Sequence, residues 1–164
     1  MGFSKADAFG RRVVAAARGA FEEVVLVDRA FEGAHEDEGP VFGLAAALRH
    51  ARAACFVLAV DYPLLATPLL AYLRSRFETG SAQMLVPMWS GEPQVLCAGY
   101  ARAMLERVER RIAAKQFDLR GLIAEAETEI IPERELRARF SGEPLLNVNT
   151  PEELELARRI DGQF

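Results

Sequence analysis

Two rhythms of apolar and polar positions alternate along the chain. Residues 11–21, RRVVAAARGAF, space their apolar positions as a helix does, and Glu22-Glu23-Val24-Val25-Leu26-Val27-Asp28 follows as a short β-branched run bounded by charge, the mark of a strand. A turn-rich stretch, Glu32-Gly33-Ala34-His35-Glu36-Asp37-Glu38-Gly39-Pro40, leads into Gly43-Leu44-Ala45-Ala46-Ala47-Leu48-Arg49, which is helical by propensity. The most apolar run comes next and predicts a buried strand over 56–60. Thr67 as N-cap with Pro68 at the first helical position predicts a helix to about residue 76. Two further strands are expected at 83–88 and 94–98, and a long amphipathic helix over 100–115. Strand and helix alternation of this kind predicts an α/β fold with a mainly parallel sheet covered by helices on both faces.

Asp61 is the first residue to ask for a chemical explanation. The run CFVLAVDYP is apolar enough to be buried on both faces, yet it ends in a carboxylate with proline two residues later. An ionised aspartate costs several kcal/mol to bury unless it is paired, hydrogen-bonded or bound to a metal. In open parallel sheets ligands bind beyond the carboxyl ends of the strands, where this residue is expected. A hard oxygen donor there suits Mg²⁺ carrying a nucleotide's phosphates. The competing reading is an Asx turn, in which the carboxylate accepts backbone N–H groups of the loop that follows. The residue alone leaves both open.

Composition narrows the classes. At 164 residues, 51% hydrophobic and 27% charged, the chain fits one globular domain able to build its own core. Twenty basic against 24 acidic residues give a net charge of −4, which argues against a nucleic-acid surface held by phosphate neutralisation. Cys55 and Cys97 both sit in apolar runs, as small buried hydrophobes of a reducing compartment do. No signal peptide and no run of about 18 apolar residues is evident, so the expected location is cytoplasmic, away from membranes. His35 and His50 read as surface residues and Trp89 as packing at a loop tip. The charges of 107–111 and 125–139 read as solvated helix faces.

Four pieces occur in order: Met1-Gly2-Phe3-Ser4-Lys5-Ala6, Gly39-Pro40-Val41-Phe42-Gly43-Leu44, Val60-Asp61-Tyr62-Pro63 and Asn147-Val148-Asn149-Thr150-Pro151-Glu152-Glu153-Leu154. Weaker matches fill the gaps, with Gly91-Glu92-Pro93-Gln94-Val95-Leu96 and Tyr100 in one and Asp118-Leu119-Arg120 in another. Together they resemble the molybdenum cofactor guanylyltransferase (MobA) family of the nucleotidyltransferase superfamily, over nearly the whole chain. The resemblance implies a Rossmann-like three-layer sandwich, nucleotide-diphospho-sugar transferase-like, that moves GMP from GTP to molybdopterin and releases pyrophosphate. Expected partners are therefore GTP and molybdopterin, with molybdoenzyme chaperones or acceptor enzymes beyond them. Nucleic acid and membrane are not expected, and the chain is expected to be a monomer or weak homo-oligomer. A CTP-dependent cytidylyltransferase on the same cofactor and a non-catalytic molybdopterin-binding homologue are the alternatives.

The resemblance also assigns residues. Asp61 matches the metal-binding aspartate and would hold Mg²⁺; Lys5 matches a lysine that contacts the nucleotide. Asp37 corresponds to an aspartate ahead of the family's G-P-L-A-G, and Asp28 falls where an asparagine is usual, a change that removes a donor. Gly39, Pro40 and Gly43 would form a tight turn approaching the base, with Val41-Phe42 in place of the family's Leu-Ala. Asn147 and Asn149 lie two residues apart, on one face at strand spacing, where they would hold the pterin or its phosphate. Thr150, Pro151 and Glu153 also spell a capping box, so the segment has a structural role besides. The family opens with a strand and a loop of the form L-A-G-G-x-x-x-R-M-G. This chain opens at the final Met1-Gly2, so the expectation is a single domain, 1–164, lacking the family's first strand and glycine-rich loop. A start codon placed too far downstream, a renumbered partial chain and a homologue that binds without catalysing all fit that expectation.

Overall fold

The computed structural model describes residues 5–27 and 39–161. In chain order the elements are α1 (Lys5–Ala20), α2 (Pro40–His50), β1 (Ala54–Leu58), α3 (Thr67–Thr79), β2 (Met84–Trp89), β3 (Glu92–Pro93) and β4 (Cys97–Ala101). A single 3₁₀ turn over Arg102–Met104 then leads into α4 (Leu105–Ala113), followed by α5 (Leu122–Glu125), β5 (Thr128–Ile131), α6 (Glu133–Arg139) and α7 (Pro151–Asp161).

Strand order across the sheet is β1-β4-β2, with β5 on β2's other side and β3 forming a short hairpin with β2. The β1/β4 and β4/β2 ladders are antiparallel and β2/β5 is parallel. Thus β1, β2 and β5 all run the same way, and β4 is a reversed strand wedged between the first two. The expected mainly parallel sheet holds as a shared direction of three strands, while the ladders themselves are mixed. Pro87, which has no N–H to give, lies past the two residues of β2 that pair with β4 and before the two that pair with β3.

Side chains alternate across the pleat and separate into two cores. Leu85 and Trp89 of β2, with Phe56 and Leu58 of β1, join Val13, Ala17, Leu69, Leu70 and Leu73 of α1 and α3. Met84 and Val86, with Cys55 and Val57, join Leu44, Leu48, Val108 and Leu122 of α2, α4 and α5. Helices on both faces of one sheet give the three layers expected. The α1/α3 contact is close: a Cβ added at Gly19 would lie 2.6 Å from Thr67 Oγ1. That hydroxyl donates to the Ala16 carbonyl at 3.0 Å, so Thr67 does not cap its own helix; Ala66 occupies the N-cap, Thr67 opens the helix, and Pro68 stands second rather than first, still within the first turn.

Other elements shift from their sequence positions for physical reasons. Strand β4 begins at Cys97 rather than 94, because Gln94 turns to hydrogen-bond the β2–β3 hairpin. The apolar run 24–27 pairs with no strand among the described residues, and Val25, Leu26 and Val27 are exposed; propensity without a neighbouring ladder makes no strand. Arg111, expected on a solvated face, is buried: its guanidinium donates to the Asp118 carbonyl at 2.8 Å and carboxylate at 3.1 Å and pairs with Glu125. Among the described residues no helix is long and apolar enough to cross a membrane.

Candidate active site

The carboxyl end of β1 is tied off at once. Ala59 N donates to the Leu96 carbonyl at 2.8 Å, the chain turns, and Asp61 sits in that turn with its backbone carbonyl accepting from Val148 N at 2.9 Å. That one bond brings the DYP turn against the Asn-Val-Asn-Thr segment, so the fold joins two motifs distant in sequence. The Asp61 side chain is half-buried, and its Oδ1 has no hydrogen-bond partner. Burial pushes the carboxyl above its usual value, while its own backbone N–H and a hydrogen bond from the Asn147 side chain pull the other way. Asn147 Oδ1 is likewise buried without a partner.

Two buried oxygen acceptors without a protein partner, on the neighbouring Asp61 and Asn147 segments, are unusual, because folded chains pair nearly all such atoms. An acceptor without a protein donor is completed by a water, a cation or a ligand's own donor. Among the described residues no group of three His, Cys, Asp or Glu could hold a metal. An ion here would therefore take one carboxylate and one amide oxygen and complete its shell with water or substrate oxygens. That donor set fits Mg²⁺, which keeps several waters and takes few carboxylates.

The flanking segment is otherwise satisfied. Glu153 N donates to Thr150 Oγ1 at 3.2 Å, and the Glu153 carboxylate accepts from Thr150 N at 2.9 Å and Asn149 N at 2.7 Å. The expected capping box is therefore present at the start of α7, and it fixes the segment that carries Asn147 and Asn149. Asn149 is exposed two residues beyond Asn147. Beside the DYP turn a half-open cleft of about 280 Å³ is lined by Leu64, Pro68, Arg139, Gly142, Pro144 and Ile160.

Other expected site residues fall at different places. Gly39 has φ of 147°, a backbone that side chains avoid, and immediately precedes Pro40 at the start of α2. Gly43 is inside α2, so the tight turn is confined to Gly39-Pro40. Lys5 is the first residue of α1. Asp28, Asp37, His35 and Met1-Gly2-Phe3-Ser4 lie outside the described residues. Trp89 is a buried packing residue, as expected: its Nε1 donates to Glu143 at 3.1 Å and the Arg137 guanidinium lies 4.2 Å over its ring.

Sequence reading missed Tyr62 and the side chain of Gln94. Tyr62 is buried and its hydroxyl donates to Gln94 Oε1 at 2.9 Å. A tyrosine inside so apolar a run was the available signal, since a buried phenol needs a polar partner.

The model for the MobA-like NTP transferase domain matches residues 5–130. A Thermococcus kodakarensis protein named "Probable molybdenum cofactor guanylyltransferase" is 32% identical over 117 residues, 71% of this chain and 57% of that one. A Mycobacterium avium protein of the same name is 33% identical over 68% of this chain and 53% of its own length. Molybdopterin-guanine dinucleotide biosynthesis protein A from Archaeoglobus fulgidus superposes with a TM-score of 0.68 at 28% identity, over 77% of this chain and 64% of that structure. The chain thus spans little more than half the length of the relatives it matches. With the family model covering residues 5–130, the chain belongs to the MobA-like NTP transferase family.

Proposed function

We propose that this domain, 1–164, carries a Mg²⁺-dependent transfer of GMP from GTP to the terminal phosphate of molybdopterin. An oxygen of the acceptor phosphate forms a new bond to the α-phosphorus of GTP. The bond from that phosphorus to the bridging oxygen breaks, and pyrophosphate leaves with the electron pair. Little covalent work falls to the protein in such a displacement, so the rate depends on alignment and charge neutralisation.

Asp61 holds the cation, with Asn147 Oδ1 as a second oxygen beside it. Mg²⁺ there would neutralise charge on the α-phosphate and on the attacking oxygen. Asn149 contacts the pterin or its phosphate. Lys5 supplies a compact positive charge to the nucleotide. Asp37, Asp28 and the Gly39-Pro40 turn ahead of Gly43 contact its base and sugar. The observation that carries this reading is Asp61 Oδ1: a buried carboxylate oxygen with no partner, at the carboxyl end of β1. The names of the relatives support guanine as the base.

Incubation of the chain with α-³²P-labelled GTP, molybdopterin and Mg²⁺ tests the proposal. Labelled dinucleotide and pyrophosphate are expected, with CTP a poor substitute. Asp61→Ala should abolish transfer, and full activity in that variant sinks the reading.

A further inference from the structure

Asp61 is followed by a side chain whose burial and bonding exceed what packing requires. The Tyr62 ring belongs to the core that contains Leu65, Leu69, Trp89 and Cys97. Its hydroxyl is part-buried and reaches Gln94 Oε1 at 2.9 Å. Gln94 in turn uses every polar group it has. Its Nε2 donates to the Trp89 carbonyl at 3.1 Å and to the Glu92 carbonyl at 3.0 Å. Its backbone N donates to the Pro87 carbonyl at 2.9 Å, and its carbonyl accepts from Cys97 N at 3.0 Å. One glutamine thereby closes the β2–β3 turn, where Ser90 and Gly91 have φ of 52° and 75°, starts β4, and receives the tyrosine.

We propose that Tyr62 and Gln94 form a positioning pair that fixes the Asp61 carboxylate for a divalent cation, an inference that rests on the reading of Asp61 as the metal-holding residue. The main chain at Asp61 is held from both sides. Upstream, Ala59 N donates to the Leu96 carbonyl at 2.8 Å, and at Asp61 itself Val148 N donates to the main-chain carbonyl at 2.9 Å. Downstream, a ring locked in the core with its hydroxyl anchored fixes the backbone of Tyr62 and so the peptide joining it to Asp61. Asp61 then adjusts mainly through its own two side-chain torsions. Outer groups that orient a metal ligand in this way commonly change metal affinity or activity by about 10–100-fold when removed.

The test uses Mn²⁺ as the probe, read by electron paramagnetic resonance on the whole chain without nucleotide, together with thermal unfolding. Tyr62→Phe keeps the ring and removes one hydroxyl; it should weaken Mn²⁺ binding roughly 10-fold. It should also raise the Mg²⁺ concentration for half-maximal transfer by a similar factor while leaving the KM for GTP at saturating Mg²⁺ unchanged. Gln94→Met should give the same shift, and the double variant no more than either alone. Wild-type Mn²⁺ affinity in a Tyr62→Phe chain that merely melts earlier overturns the inference and leaves the pair a structural contact. Should Gln94→Met fail to fold through its hairpin bonds, Tyr62→Phe decides alone. Asp61→Asn separates the levels. Loss of Mn²⁺ in that variant with no change in Tyr62→Phe overturns only the positioning role, whereas Mn²⁺ binding equal to wild type in Asp61→Asn overturns the reading of Asp61 as well.

Discussion

Asp61 and Glu153 both bear on the Asn147-to-Thr150 segment, and their surroundings push them in opposite directions. The Glu153 carboxylate accepts two backbone N–H groups, from Asn149 and Thr150, and those bonds hold its carboxyl below the usual glutamate range. Asp61 is drawn into the protein with one oxygen unanswered, and desolvation raises its carboxyl. Equal chemistry thus has unequal consequences. The satisfied carboxylate is stable when ionised and belongs to the fold; the unsatisfied one is destabilising when ionised unless something outside the chain completes it.

Four substitutions would break or sharpen that contrast. The largest effect is expected at Asp61→Asn, which should lower transfer by about 10³-fold, the several kcal/mol that a charge-neutralising metal contributes. The same change removes the burden of a buried charge, so the melting temperature should stay level or rise; a clear fall in a thermal scan would mean that Asp61 serves the fold. Asn147→Ala should reduce transfer by roughly 10–100-fold with little loss of stability, since its Oδ1 has no partner in the protein. Thr150→Ala inverts the pattern. Loss of the cap to Glu153 N should reduce stability by about 1 kcal/mol in a denaturant titration, with transfer affected less than at Asn147.

The smallest and most diagnostic effect is on pH dependence. Glu153 is held below its unfolded value, so its contribution to stability is complete above about pH 4.3 and is lost as pH falls through the folded value. Glu153→Gln should therefore lower the melting temperature slightly at neutral pH, where the ionised carboxylate contributes, and flatten the acid side of the profile. An unaltered acid limb would show that the carboxylate gains nothing from the two amides.

Local signals in the sequence carried much of this, and distant ones did not. The capping box at Thr150 needs only residues three apart, and the Pro40 and Pro68 helix starts need only their own neighbours. Asp61 stood out because a charge at the end of an apolar run is costly wherever the chain goes. That its carbonyl would meet Val148 could not be seen, because only the folded sheet brings the two loops together. The same limit explains Thr67, whose hydroxyl serves α1 rather than its own helix, and Arg111, whose charge is buried by Asp118 and Glu125 from a later turn. It also explains residues 24–27, whose side chains favour a strand that the described residues give no ladder to join.

The reversed strand β4 has a consequence for the order of assembly. Although β1 and β2 run the same way and precede it in the chain, each pairs with β4 and neither pairs with the other. Until Cys97–Ala101 is in place, the strand leading to Asp61 and the strand leading to the Gln94 hairpin have no common strand neighbour, only the α1/α3 core beneath both. The ladder from Ala54↔Ala101 to Leu58↔Cys97 closes long loops, and contacts of that kind form slowly because chain entropy is lost before they stabilise anything. Folding of the edge that carries Asp61 thus waits on its fourth strand, and Gly99, wedged against Phe56 and Phe77 at the middle of that ladder, is where a single added methyl group would be felt first as a slower refolding rate.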